Sequence, residues 1–132
     1  MSAMPGRGYA VGLIKVIYPF DIRLSKNQMW KRGKWGGVYL ACADQMAEIS
    51  NIIKSRVQPG DFIPGVKTHI SLKVYKPNNR SDAANFLDTI LDATQIGIGV
   101  NDRFFSGSFD WEIDKLNPRF EITISQEVIC KP

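Results

Sequence analysis

Asp82, Asp88, Asp92 and Asp102 fall in one stretch, Ser81 to Asp102, that contains no lysine or arginine. Carboxylate oxygens gathered in this way suit a hard divalent cation. The chain as a whole is +4, while this stretch alone is −4. Elsewhere, therefore, seventeen basic residues face nine acidic ones, a surplus of +8. A basic surround draws a polyanion toward the acidic centre. Metal-dependent hydrolysis of nucleic acid needs that arrangement.

An amphipathic helix must position these side chains. Asp82 stands where a helix N-cap would, ahead of an apolar-periodic run. Ala83, Phe86, Leu87, Ile90 and Leu91 recur at helical spacing on one side, and Asn85, Asp88, Thr89 and Asp92 on the other. Asp88 and Asp92 are like charges four apart, and Asp92 nears the partially negative helix end. Two broken local rules at neighbouring positions mark a candidate site, although a plain solvated acidic face has the same spacing.

The 132 residues, 44% hydrophobic and 23% charged, suit one globular domain. A pI near 9.2 points toward a polyanionic partner. Cys42 and Cys130 are too isolated for a zinc pattern or a disulfide framework. With no apolar run of membrane-spanning length and no leader pattern, the sequence reads as cytoplasmic, with no membrane partner.

Taken in order, residues 1–8 read as a flexible N-terminus and 9–132 as the domain. Tyr9 to Tyr18 reads as a strand stopped by Pro19. Asp21 to Trp35 is the most basic part, with Arg23, Lys26, Lys31, Arg32 and Lys34 interleaved with Trp30 and Trp35. Cations bind phosphate and aromatic rings stack on exposed bases, so this segment is a candidate nucleic-acid contact. Val38 to Val57 reads as a packing helix through Cys42, Met46, Ile49, Ile53 and Val57. Val66 to Tyr75 alternates as a strand whose polar row holds His69, the only histidine, and Lys73, within reach of a phosphate. Gln95 to Val100 reads as a compact glycine-containing link. Phe104 to Ile113 and Arg119 to Val128 read as closing strands joined by a hairpin at Asp114–Pro118. The expected order is β-α-β-α-β-β, an α+β domain with a mixed sheet and two helices packed on it.

The run Arg80-Ser81-Asp82-Ala83-Ala84-Asn85, with Asp88, Asp92 and Asn101-Asp102, resembles the RusA family of phage and prophage Holliday-junction resolvases. Leu24-Ser25-Lys26-Asn27 with Trp30-Lys31 is similar, more loosely, to the family's basic opening. The resemblance spans roughly residues 24–124. It matches Asp82 to the first family aspartate, Asn85 to its asparagine, Asp92 to its helical aspartate and Asp102 to the aspartate after the helix. Two positions depart: Ala84 replaces the second aspartate and Asp88 replaces a lysine. Asp88 lies about one turn beyond Asn85 and can restore the lost carboxylate.

The resemblance implies a homodimeric, Mg2+-dependent endonuclease, with Mn2+ able to replace Mg2+, that nicks branched DNA in recombination and repair. Asp82, Asp88 and Asp102 are the expected catalytic metal ligands. Asp92 is a further ligand and Asn85 supports them. Lys26, Asn27, Trp30, Lys31, Arg32, Lys34, Lys73, Arg80 and Arg103 are the expected DNA contacts, with Lys73 or Arg103 replacing the lost lysine. The departures equally fit a non-catalytic module that binds branched DNA or RNA. A protein-interaction domain is the third reading.

Overall fold

Five alternate residues, Thr68, Ile70, Leu72, Val74 and Lys76, are buried along the strand Thr68–Lys76, and the residues between them face outward. Period-two burial of this kind places one side of the strand on a core. The computed structural model describes residues 8–25, 30–32, 38–40 and 42–129, with backbone only for 8–12, 30–32, 38–40 and 127–129. Its elements are β1 (Gly8–Pro19), β2 (Trp30–Arg32), β3 (Val38–Leu40), α1 (Ala43–Arg56), β4 (Thr68–Lys76), α2 (Leu87–Ile98), β5 (Phe105–Ile113) and β6 (Arg119–Ile129). Short 3-10 turns precede β2, α2 and β5.

The main sheet has the order β1-β6-β4-β5. β6 runs antiparallel to both β1 and β4, whereas β5 runs parallel to β4. The sheet is therefore mixed, with two helices packed on it: an α+β domain. β2 and β3 form a separate antiparallel pair.

Several expectations change. Asp114–Pro118 does not close a hairpin, because β6 inserts between β1 and β4 while β5 lies beyond β4. The β4-α2-β5 unit is a crossover, as parallel pairing requires. The expected helix from Val38 begins only at Ala43. Val38, Tyr39 and Leu40 instead form β3, in line with the strand preference of Val and Tyr. The link at Gln95–Val100 is the last turn of α2, closed by Gly99 at φ 73, a left-handed conformation that suits glycine. Of the expected flexible N-terminus, Gly8 already belongs to β1 and residues 1–7 lie outside the described residues.

Packing fixes where the acidic segment begins and ends. Half-buried Phe20 and buried Phe86 and Phe120 form a triangle with centroids 5.1–5.4 Å apart, holding the entry to α2 against β6 and the end of β1. Ser50 of α1 donates from Oγ to the Ala93 carbonyl of α2 at 2.9 Å. One turn along, a Cβ on Gly97 would lie 2.6 Å from Ile53 Cγ2, so glycine permits the close approach of the two helices. Buried Gln126 donates to Thr68 Oγ1 at 3.0 Å and exchanges hydrogen bonds with the Ile63 backbone. Thr68 therefore belongs to the buried row.

Candidate functional site

The chain enters the acidic segment over a loop anchored by a buried cation. Lys76 continues the inward row of β4 and is only 3% exposed. Its Nζ donates to Asn79 Oδ1 at 3.1 Å and to the Ser81 carbonyl at 2.8 Å. It also lies 3.9 Å from the Trp111 ring centroid. Lys76 was not expected as a site-positioning residue, but its parity with Ile70, Leu72 and Val74 was the available signal.

This loop delivers Asp82 to a 3-10 turn, Ala83–Phe86, rather than directly to α2. Asp82 occupies the cap position, but its side chain makes no capping hydrogen bond. Three residues per turn instead of 3.6 shift the phase of the helix beyond. Thr89, expected on the polar face, is fully buried, and its hydroxyl has no hydrogen-bond partner among the described residues. Asp82, Asn85, Asn79, Arg80, Ile22 and Ser25 border an open cleft of about 430 Å³. Ile22 and Ser25, both within the basic stretch Asp21–Trp35, are the described part of that stretch that reaches the cleft.

Asp88, Asp92 and Asp102 form a second locality. Asp88 and Asp92 are exposed along α2. Gly99 then reverses the chain, and Asn101 Oδ1 accepts the Arg103 N–H at 3.0 Å to open the turn before β5. Asp102 donates its own backbone N–H to Gln95 Oε1 at 3.2 Å, which holds it against the last turns of α2. The consequence appears at Asp92, whose carboxyl is pushed above the usual carboxylate range. Partial withdrawal from water is the largest cause, followed by the negative charges of Asp102 and Asp88. No basic residue occupies the last turn of α2 to offset them.

Asp82 does not join this group. The 12-residue α2 is about 18 Å long, with Asp82 a further 3-10 turn before its start and Asp102 just past its end. Carboxylate oxygens sit about 2.0–2.6 Å from Mg2+ or Ca2+, so one ion cannot bridge Asp82 and Asp102. The expected set Asp82, Asp88, Asp102 thus divides into a cleft residue and a carboxylate face. Among the described residues, no three or more His, Cys, Asp or Glu side chains converge closely enough to hold a metal ion. An all-protein cage is absent from that set.

The expected DNA contacts also divide. Lys26, Asn27 and Lys34 lie outside the described residues, and Trp30, Lys31 and Arg32 are placed only by their backbone in β2. Lys73 lies on the sheet face away from the helices, paired with Glu112 at 3.0 Å, and that partner raises its pKa. His69 shares this face, with ring nitrogens 3.4 Å from Ser106 Oγ and 3.3 Å from Ser108 Oγ. Neither His69 nor Lys73 can serve the carboxylate face. Arg103 can, being adjacent to Asp102 and exposed, with its guanidinium 4.9 Å from the Phe104 ring centroid. Arg80 is exposed at the cleft. Among the described residues, no helix is long and apolar enough to cross a membrane.

No family model and no curated protein matches this chain.

Proposed function

We propose that the chain is a divalent-metal-dependent endonuclease of the RusA-like kind that nicks branched DNA, working as a homodimer in the cytoplasm. Recombination and repair are the processes that use this chemistry. The observation that carries the reading is the gathering of Asp88, Asp92 and Asp102 at α2, with the backbone of Asp102 held there by Gln95. Partial withdrawal from water and, after it, the charges of Asp102 and Asp88 push the Asp92 carboxyl upward. A cation beside these carboxylates would relieve the repulsion among them.

In this reading Asp92 and Asp102 hold the ion and Asp88 adds charge to the same face. Bound there, a divalent cation would polarise a phosphate and acidify a coordinated water. The rest falls to the chain. Gln95 fixes the backbone of Asp102, and Arg103 offers a guanidinium to the phosphate beside it. Arg80 in the cleft, with the basic stretch Asp21–Trp35 that reaches it at Ile22 and Ser25, gathers backbone phosphates. Asp82 and Asn85 then contact the nucleic acid near the branch rather than the ion.

A second reading, a non-catalytic module for branched DNA or RNA, is favoured by the lack of three convergent donors among the described residues. Incubation with a synthetic four-way junction and a linear duplex, with and without Mg2+ or Mn2+, separates the two. Metal-dependent nicks confined to the junction support the nuclease. Tight junction binding without nicks in either metal overturns it in favour of the module.

A further inference from the structure

β5 is an edge strand with an unusual exposure pattern. Nine residues long, it pairs only with β4 among the described residues, in unbroken register from Phe105 to Ile113. Its helix-side row continues as Phe109, Trp111 and Ile113, which are 47%, 44% and 46% exposed. α2 covers only the beginning of this row, where Leu87 and Leu91 lie against Gly107 and are themselves only half-buried. Soluble proteins blunt long edges with lysine, proline or a bulge. FSGSFDWEI contains neither residue, its register with β4 shows no bulge, and Asp110, which accepts the Trp111 N–H at 2.8 Å, is the one local cap on it among the described residues.

We infer that the β5 edge is a docking surface for a second copy of this chain, paired antiparallel about a two-fold axis at Phe109. The sequence of the strand selects this occupant. A two-fold at Phe109 sets Gly107 opposite the partner's Trp111, and Phe105 opposite the partner's Ile113. The small residue leaves room for the large one, whose ring stays over Lys76 of its own β4. On the other face Ser108 meets the partner's Asp110, and Ser106 meets the partner's Glu112. Each carboxylate therefore faces a hydroxyl rather than another carboxylate, and like charges directly opposite are what such a pair must avoid. A two-fold contact of this kind closes on itself and leaves no free edge at β5.

The eight-stranded sheet so formed carries both helix layers on one side. At roughly 3.3 Å per residue, the two Phe105 positions stand about 26 Å apart, each beside its own Asp102. The inference deepens the proposed dimer by naming its surface, and it does not depend on the chemistry.

The test uses sedimentation of the full chain and of two charge variants, Phe109→Lys and Phe109→Glu, with circular dichroism to show that each is folded. Because Phe109 opposes itself, each variant alone should run at 14.8 kDa while the wild type runs at twice that mass. An equimolar mixture of the two variants should return to the doubled mass, which no merely local effect of either substitution would produce. Should either variant unfold, Phe109→Cys replaces it, and oxidation must then give a reducible cross-linked dimer. A monomeric wild type, a folded Phe109→Lys dimer, or no Phe109→Cys cross-link would each overturn the surface. Junction cleavage on the same samples reads the other proposal separately: loss of cutting in an intact dimer counts against the nuclease and leaves the β5 contact standing.

Discussion

The backbone N–H of Asp102 donates to the side-chain oxygen of Gln95 at 3.2 Å, across the left-handed turn at Gly99. That single bond ties a carboxylate outside α2 to the helix that carries Asp88 and Asp92. Removing it should release Asp102 without disturbing the core. Gln95→Leu is expected to cost about 1 kcal/mol of stability. It should also weaken Mg2+ binding, read by calorimetry on the folded variant. Unchanged Mg2+ binding would mean that Gln95 does not position Asp102.

Asp92 makes a pH prediction. Its folded pKa lies above the unfolded value, so the native state binds more protons than the unfolded state between the two. The group is therefore neutral in its effect below the unfolded pKa. It costs stability as pH rises through the raised pKa, and the penalty is complete at neutral pH. Asp92→Asn should raise Tm at pH 7 by roughly 2 °C, equivalent to about 0.5 kcal/mol for so exposed a residue. Thermal scans at pH 7 and near pH 3 should show the gain shrinking at the lower pH. A gain that is equal at both would rule out charge as its source.

The interior of the fold was more legible than the site. Ile49 and Ile53 of α1, and Ile70, Leu72 and Val74 of β4, show their burial in sequence as periods of 3.6 and 2. Topology was less legible, because a short connection at Asp114–Pro118 does not reveal that β6 passes β4 to pair with β1. The carboxylate face was partly legible. Asp88 and Asp92 share a face by helical spacing, but helix length is what separates Asp82 from Asp102, and linear order along a motif does not express that distance. The 3-10 turn at Ala83–Phe86 hid the phase shift that buries Thr89.

Lys76 offers a third prediction. Its ammonium holds the loop that leads to Asp82 through two oxygen acceptors and the Trp111 ring. Lys76→Met keeps the stem but leaves the Ser81 carbonyl without this donor. The expected loss is about 2 kcal/mol, measured by urea unfolding. A loss below a few tenths of a kcal/mol would show that water replaces the ammonium.

The α1–α2 contact supplies a fourth. Alanine normally favours a helix over glycine by about 1 kcal/mol. At Gly97 its methyl would fall 2.6–2.7 Å from Ile53, so Gly97→Ala should destabilise by roughly 1–3 kcal/mol despite that preference. Combining it with Ile53→Ala should recover part of the loss, a non-additivity that a double-mutant cycle measures. Strict additivity would place the strain elsewhere.

The division of the four aspartates between cleft and helix face is the central claim, and cleavage of a four-way junction in Mg2+ tests it most directly. Asp92→Asn and Asp102→Asn should each cut at least ~100-fold more slowly than wild type, as expected when a residue that holds a metal is lost. Asp82→Asn should keep its cutting rate at saturating DNA and change only how tightly the junction binds. The division is contradicted if Asp82→Asn abolishes cutting while Asp92→Asn and Asp102→Asn retain it, because the metal would then belong to the cleft.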